Sequence, residues 1–126
     1  MRKAFGSVAV AFGAVAAFAV PANAAITSHL TVSMVAVSDG YTESVTLDCE
    51  PTGGTHPDAE AACKDLINAN GDFRRIPPEF AACPTYYLPV TASVKGTWHG
   101  VPVSTSARYT NGACAKVETG GHVFHF

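Results

Sequence analysis

Apolar and polar residues alternate with a period of two along much of this chain. Between 41 and 49, Tyr41, Val45, Leu47 and Cys49 fall on one side, with Thr42, Ser44, Thr46 and Asp48 on the other. Between 90 and 98, Val90, Ala92 and Val94 oppose Thr91, Ser93 and Lys95, and 29–37 is dense in β-branched and apolar residues. A period of two sends successive side chains to opposite faces of a pleated strand, so these segments read as half-buried strands. Ser38-Asp39-Gly40 closes the first two into a hairpin, and His99-Gly100 turns the chain back into a strand over 101–109. Asn111-Gly112 reads as another turn, and 122–126 as a short terminal strand.

The period changes after the loop that holds Pro51 and Gly53-Gly54. Ala59, Ala62, Cys63, Leu66 and Ile67 recur at helical spacing on one face. Thr55 or His56 supplies a cap, Pro57 suits a first turn, Asp58 and Glu60 suit a positive helix N-terminus, and Gly71 ends the element. Residues 72–83, with Pro77-Pro78, read as irregular. About five strands and at least one helix in this order predict an antiparallel sheet covered on one face by helix.

The first two dozen residues do not belong to that pattern. Met1-Arg2-Lys3 is followed by an apolar run over 4–20 and by Ala22-Asn23-Ala24. A positive start, an apolar middle and an Ala-x-Ala end predict a secretory signal peptide over 1–24, leaving one mature domain over 25–126. The formal net charge of the whole chain is −2, and loss of Arg2 and Lys3 makes the mature part more acidic. No basic patch for nucleic acid and no polybasic membrane segment is present.

Export changes the reading of the cysteines. Cys49, Cys63, Cys83 and Cys114 all lie in the mature part, and an even count in a small exported domain implies two disulfides. Three pairings are open, among them the local one that closes two separate loops. A zinc site is disfavoured by the absence of any Cys-x-x-Cys pair. Of the five histidines, His122 and His125 are closest in sequence, yet residues three apart in a strand face opposite ways. No Gly-x-Ser-x-Gly elbow and no spare thiol points to nucleophilic catalysis, and Gly53-Gly54 lacks the partners of a phosphate loop. The expectation is a non-enzyme without metal or cofactor.

The segment with most chemistry in it is Cys83-Pro84-Thr85-Tyr86-Tyr87-Leu88-Pro89-Val90. Proline fixes its own φ and pushes the preceding residue toward extended geometry, so the stretch is stiff and extended. A pre-stiffened extended peptide suits a protease cleft, and the same stiffness opposes its being cut and released. Adjacent tyrosines in such a loop suit an interface, with Tyr86 exposed and Tyr87 packed inward as support.

These features resemble the Streptomyces-type subtilisin inhibitors. The pieces that carry the resemblance run through almost all of 30–126: Cys49-Glu50-Pro51, Gly54-Thr55-His56-Pro57, Ala62-Cys63 with Leu66, Gly71-Asp72, Cys83-Pro84, Tyr87 with Pro89-Val90, Gly96-Thr97-Trp98 with Gly100, and Val123-Phe124-His125-Phe126. The resemblance implies an α+β fold, a five-stranded antiparallel sheet with two helices packed on one face. It implies two disulfides, Cys49–Cys63 and Cys83–Cys114, and a homodimer formed through the sheet. It places the reactive bond at Thr85–Tyr86, flanked by Cys83, Pro84 and Tyr87, with Asn111 as loop support. The implied partner is an extracellular serine endopeptidase of the subtilisin kind. Two rivals are a metalloprotease inhibitor anchored by Tyr86 and a non-inhibitory secreted binding module. The chain departs from the family pattern at Thr85, which fills a roomy apolar S1 pocket poorly. It departs at Leu88, where aspartate is usual, and in the one extra residue between Asn111 and Cys114.

Overall fold

The computed structural model describes residues 27–126, with positions 9, 11, 13 and 14 before them; the expected signal peptide over 1–24 otherwise lies outside the described residues. The alternating segments form four strands: β1 (Ser28–Ala36), β2 (Thr42–Cys49), β3 (Val90–Trp98) and β4 (Val101–Tyr109). They make one antiparallel sheet in the order β2-β1-β3-β4. Two helices, α1 (Ala59–Asn68) and α2 (Gly112–Glu118), join it, with a single 3-10 turn at Phe73–Arg75. Among the described residues no helix is long and apolar enough to cross a membrane.

The register explains the alternation. Leu30, Val32, Leu47, Cys49, Ala92 and Val94 point to one face and are buried there against Ala62, Cys63 and Leu66 of α1 and Ala115 of α2. The opposite face is hydroxyl-rich. Ser44, Ser33, Ser93 and Ser106 lie side by side across all four strands, and the Ser33 and Ser93 hydroxyls are 3.4 Å apart. Cys49, at the end of β2, is bonded to Cys63 on the inward face of α1, which fixes helix to sheet.

Two expectations are corrected. The sheet has four strands, not five, because residues 122–126 form turns rather than a strand. The neighbours Val123 and Phe124 are both buried, which a strand at the surface of a sheet cannot achieve since it would turn one of them outward. Instead the segment is pinned from the side. His122 Nδ1 donates to Asp65 Oδ2 at 2.7 Å, and the Phe124 ring stands edge-on to Phe73 at 5.0 Å. The second correction concerns Asn111-Gly112. This pair does not close a hairpin; Asn111 caps α2, accepting from the Cys114 backbone N–H at 2.8 Å through Oδ1.

Helix α1 also starts later than the capping pattern suggests, at Ala59. His56 serves its N-terminus from outside the helix. The Asp58 N–H donates to His56 Nδ1 at 2.9 Å, which leaves the proton on Nε2, and Nε2 donates to the Val123 carbonyl at 2.8 Å. At the other end Asn70, with φ +54°, donates to the Ile67 carbonyl, and the Gly71 N–H donates to Leu66. This is the paired closure that satisfies a helix's last carbonyls. Gly71 itself has φ +81°, and a Cβ placed there would stand 2.6 Å from the Trp98 ring. Gly71→Ala is therefore expected to cost about 2 kcal/mol through a left-handed backbone and a crowded indole. Urea unfolding checks this, and an unchanged midpoint would refute it. Nearby, Asp72 receives Arg74 on both carboxylate oxygens at 3.0 Å, and that hydrogen bonding holds its carboxyl below the usual carboxylate range.

Candidate functional site

The segment from 79 to 90 is held along α2 by backbone hydrogen bonds and one disulfide. The Glu79 N–H donates to the Val117 carbonyl at 2.7 Å near the C-terminal end of α2. Cys83 is bonded to Cys114 in the first turn of the helix. The Leu88 N–H donates to the Thr110 carbonyl at 2.9 Å, just before the helix starts. The Pro89 carbonyl accepts from Val37 N–H at 3.0 Å, which ties the segment to the β1–β2 turn before Val90 enters β3. Between these ties Pro84, Thr85, Tyr86, Tyr87 and Leu88 are exposed and take part in no regular secondary structure.

The tightest brace comes from one side chain. Asn111 is fully buried, and its Nδ2 donates to the Pro84 carbonyl at 3.0 Å and to the Tyr86 carbonyl at 2.8 Å. An asparagine amide carries two N–H donors, and both are used here. Its Oδ1 meets the Cys114 N–H, so the amide orientation is fixed by its partners: carbonyls face the nitrogen and an N–H faces the oxygen. A buried amide left unpaired costs about 1–3 kcal/mol, which locks this arrangement. The two carbonyls held by Nδ2 belong to residues on opposite sides of Thr85, so they bracket the Thr85–Tyr86 peptide bond.

The spacing of Asn111 and Cys114, with two residues between them, has a plain consequence. It places Cys114 three positions after the cap, where the backbone N–H reaches the capping oxygen. Helix capping, disulfide and loop brace therefore all converge on the first turn of α2.

The tyrosines are arranged opposite to expectation. Tyr87 is the more exposed at 74%, against 52% for Tyr86. Side chains alternate along an extended segment, and here it is Tyr86 that leans toward the hairpin, lining a basin with Met34 and Tyr41. The hairpin contact was not legible in the sequence, since Tyr41 and Tyr86 lie far apart in the chain and neither sits in a motif that links them.

The histidines are engaged singly. His29 meets Asp48 at 2.8 Å, His99 meets Glu50 at 3.0 Å and His125 meets Asp58 at 3.6 Å, in addition to the His56 and His122 contacts above. No group of three metal-ligating side chains is found among the described residues.

Known proteins share the family and the fold. The subtilisin inhibitor-like family matches residues 24–111. A subtilisin inhibitor from Streptomyces violaceus is 40% identical over 88 residues, covering 68% of this chain and 60% of that protein; the chain thus spans less than two thirds of that relative's length. Plasminostreptin from Streptomyces antifibrinolyticus is 41% identical over 85 residues, covering 66% of this chain and 77% of that protein. Among solved structures, Streptomyces caespitosus sermetstatin in complex with Bacillus licheniformis subtilisin has the same fold. Its TM-score is 0.64 at 23% identity, covering 79% of this chain and 97% of sermetstatin.

Proposed function

Because the chain belongs to the subtilisin inhibitor-like family, we propose that it is an inhibitor of a subtilisin-like serine endopeptidase, with Thr85–Tyr86 as the bond offered to the enzyme. The observation that carries this reading is the Asn111 amide bonded to the Pro84 and Tyr86 carbonyls that bracket that bond. The loop docks as an extended strand, so its main chain supplies affinity and its side chains supply selectivity. The enzyme's serine attacks the Thr85 carbonyl carbon, and the Tyr86 nitrogen is the leaving group.

What happens next distinguishes inhibitor from substrate. The acyl fragment stays tied through Cys83–Cys114 and through the Pro84 carbonyl on Asn111. The amine fragment stays tied through the Tyr86 carbonyl on the same amide and through Leu88 on Thr110. The new amine is thus kept beside the acyl carbon, so rejoining competes with hydrolysis. Freezing a residue's backbone costs about 1–2 kcal/mol, and here folding has already frozen the loop before the enzyme arrives.

Neither rival is favoured. The metalloprotease reading rests on Tyr86 alone, whereas the brace on the Pro84 and Tyr86 carbonyls frames the Thr85–Tyr86 bond, and the similar proteins include a subtilisin inhibitor. A non-inhibitory module leaves a doubly braced peptide segment without a purpose, and the similar proteins are named as inhibitors.

The decisive experiment is a titration of the mature protein against subtilisin, with mass analysis of any product. Stoichiometric inhibition with slow cleavage at Thr85–Tyr86 is expected; no inhibition by an intact chain would overturn the assignment. Thr85→Leu is expected to tighten inhibition of subtilisin by roughly 30-fold, because two more buried carbon groups in an apolar pocket contribute about 2 kcal/mol. An unchanged inhibition constant for Thr85→Leu would show that residue 85 does not enter the pocket.

Removal of residues 1–24 and release of 25–126 outside the cell belong to the same proposal. So does pairing of two copies through the open sheet face. That face presents serine and threonine hydroxyls more than apolar side chains, so the pair is expected to be weak and to separate on dilution in sedimentation experiments. A species that stays dimeric at nanomolar concentration would contradict this.

A further inference from the structure

Exposed apolar side chains are not scattered evenly over this molecule. Of eight large hydrophobic residues exposed on the described surface, five, Val37, Tyr41, Tyr86, Tyr87 and Leu88, gather on the β1–β2 turn and the leaving-group half of the loop. Between turn and loop lies an open basin of about 260 Å³. Met34, Ala36, Tyr41 and Glu43 wall it from the hairpin, and Tyr86 and Leu88 wall it from the loop. Among the described residues, Glu43 is the only charged one in the lining. Concentrated apolar exposure beside a polar rim marks a contact surface.

The walls are fixed relative to the reactive bond. The Val37 N–H is bonded to the Pro89 carbonyl, Leu88 to Thr110, and the hairpin closes on itself through Ala36 N–H to the Tyr41 carbonyl at 2.8 Å. Hairpin and loop therefore approach a partner as one rigid piece. Whatever docks on the loop after Tyr86 also meets the basin, because Tyr86 and Leu88 belong to both.

We infer that this basin is a second contact for the protease that takes the loop, and that it receives an apolar side chain from the enzyme's rim on the leaving-group side. This rests on the inhibitory reading of the loop. The basin is continuous with the peptide that enters the cleft, and its preformed walls add contact without a further ordering cost. Glu43 adds a sign: the enzyme side chain that fits is flanked by a lysine or arginine rather than by a carboxylate. Loop residues before the bond then decide whether an enzyme can cut, and the hairpin decides which of the enzymes with the same cleft chemistry is held.

Substitutions at two positions in the mature protein, outside the loop, test this with subtilisin as the probe. Tyr41→Ser is expected to raise the inhibition constant at least tenfold, mainly through faster release. Its melting temperature and the loop's resistance to cleavage are expected to be unchanged, since the Tyr41 backbone and not its ring closes the hairpin. Glu43→Lys is expected to weaken inhibition as well, and more so at low salt. Tyr41→Phe is expected to retain most of the affinity. Wild-type constants for both Tyr41→Ser and Glu43→Lys, while the parent inhibits, overturn this inference and leave the loop assignment standing. If the parent itself fails to inhibit, the loop assignment falls and takes this inference with it. Should Tyr41→Ser lower the melting temperature, the constant for Glu43→Lys decides: a weakened one supports the second contact and a parental one overturns it.

Discussion

Asn111→Ala is expected to turn the protein from an inhibitor into a slow substrate. The change removes two hydrogen bonds from the loop and one from the start of α2. At about 0.5–1.5 kcal/mol each, the two loop bonds together amount to roughly a 10- to 100-fold weaker inhibition constant. Loss of the cap costs about 1 kcal/mol of stability in addition. Hydrolysis at Thr85–Tyr86 is expected to accelerate more than binding weakens, since the same amide holds both product ends. Asn111→Ser separates the two roles. Serine caps a helix well but is too short to reach Pro84 and Tyr86, so stability is expected to recover while inhibition stays poor. Inhibition constants, product masses and melting curves for the pair decide the matter. An Asn111→Ala protein that stays uncut and binds like its parent would falsify the bracing role.

The second large effect concerns the disulfides, which are expected to behave differently. Cys83 and Cys114 are 31 residues apart, and opening that loop in the unfolded chain corresponds to about 4 kcal/mol in the chain-entropy picture. The double variant Cys83→Ser with Cys114→Ser therefore loses a large share of a stability that for such domains is about 5–15 kcal/mol. It also frees the acyl fragment's main tie, so the part that remains folded is expected to be cut at Thr85–Tyr86 within the assay. Cys49 and Cys63, 14 apart, join β2 to α1 away from the loop. Breaking that bond is expected to cost about 3 kcal/mol without touching the loop, so every folded molecule still inhibits with the parental constant. Equal sensitivity of inhibition to the two bonds, at matched folded fraction, would remove the special role of Cys83–Cys114.

β2 and β3 were legible because one face of each is more buried than the other, and a period of two is the direct trace of that division, while β1 showed itself through its density of β-branched and apolar residues. The terminal segment misled for the same reason in reverse. Val123, Phe124 and Phe126 resemble a strand by composition, but Phe73, Asp65 and His56 take hold of the segment as a turn. Asn111-Gly112 misled because the side-chain acceptor that favours a turn is the one that caps a helix, and a helix of seven residues leaves little periodicity to read. At the site, the cysteine and prolines announced a stiff exposed loop. The use of one amide on two carbonyls did not show, because carbonyls are common to every residue and leave no mark in a sequence. Tyr87 likewise looked like the supporting ring until the direction of the extended chain was known.

The bracing of the loop has an evolutionary side. Glu79, Pro84, Tyr86, Leu88 and Pro89 are all held through main-chain N–H or carbonyl groups, and the loop side chain used as a covalent tie is Cys83. Substitutions among the exposed residues 85–88 therefore leave the frame intact. New side chains at these positions are expected to cost little in folding, whereas changes at Asn111, Cys83 or Cys114 remove the ties themselves. On the proposed reading the loop is a fixed mount carrying an interchangeable edge, so side chains at Thr85 and Leu88 could be exchanged one at a time against a different enzyme without rebuilding the frame.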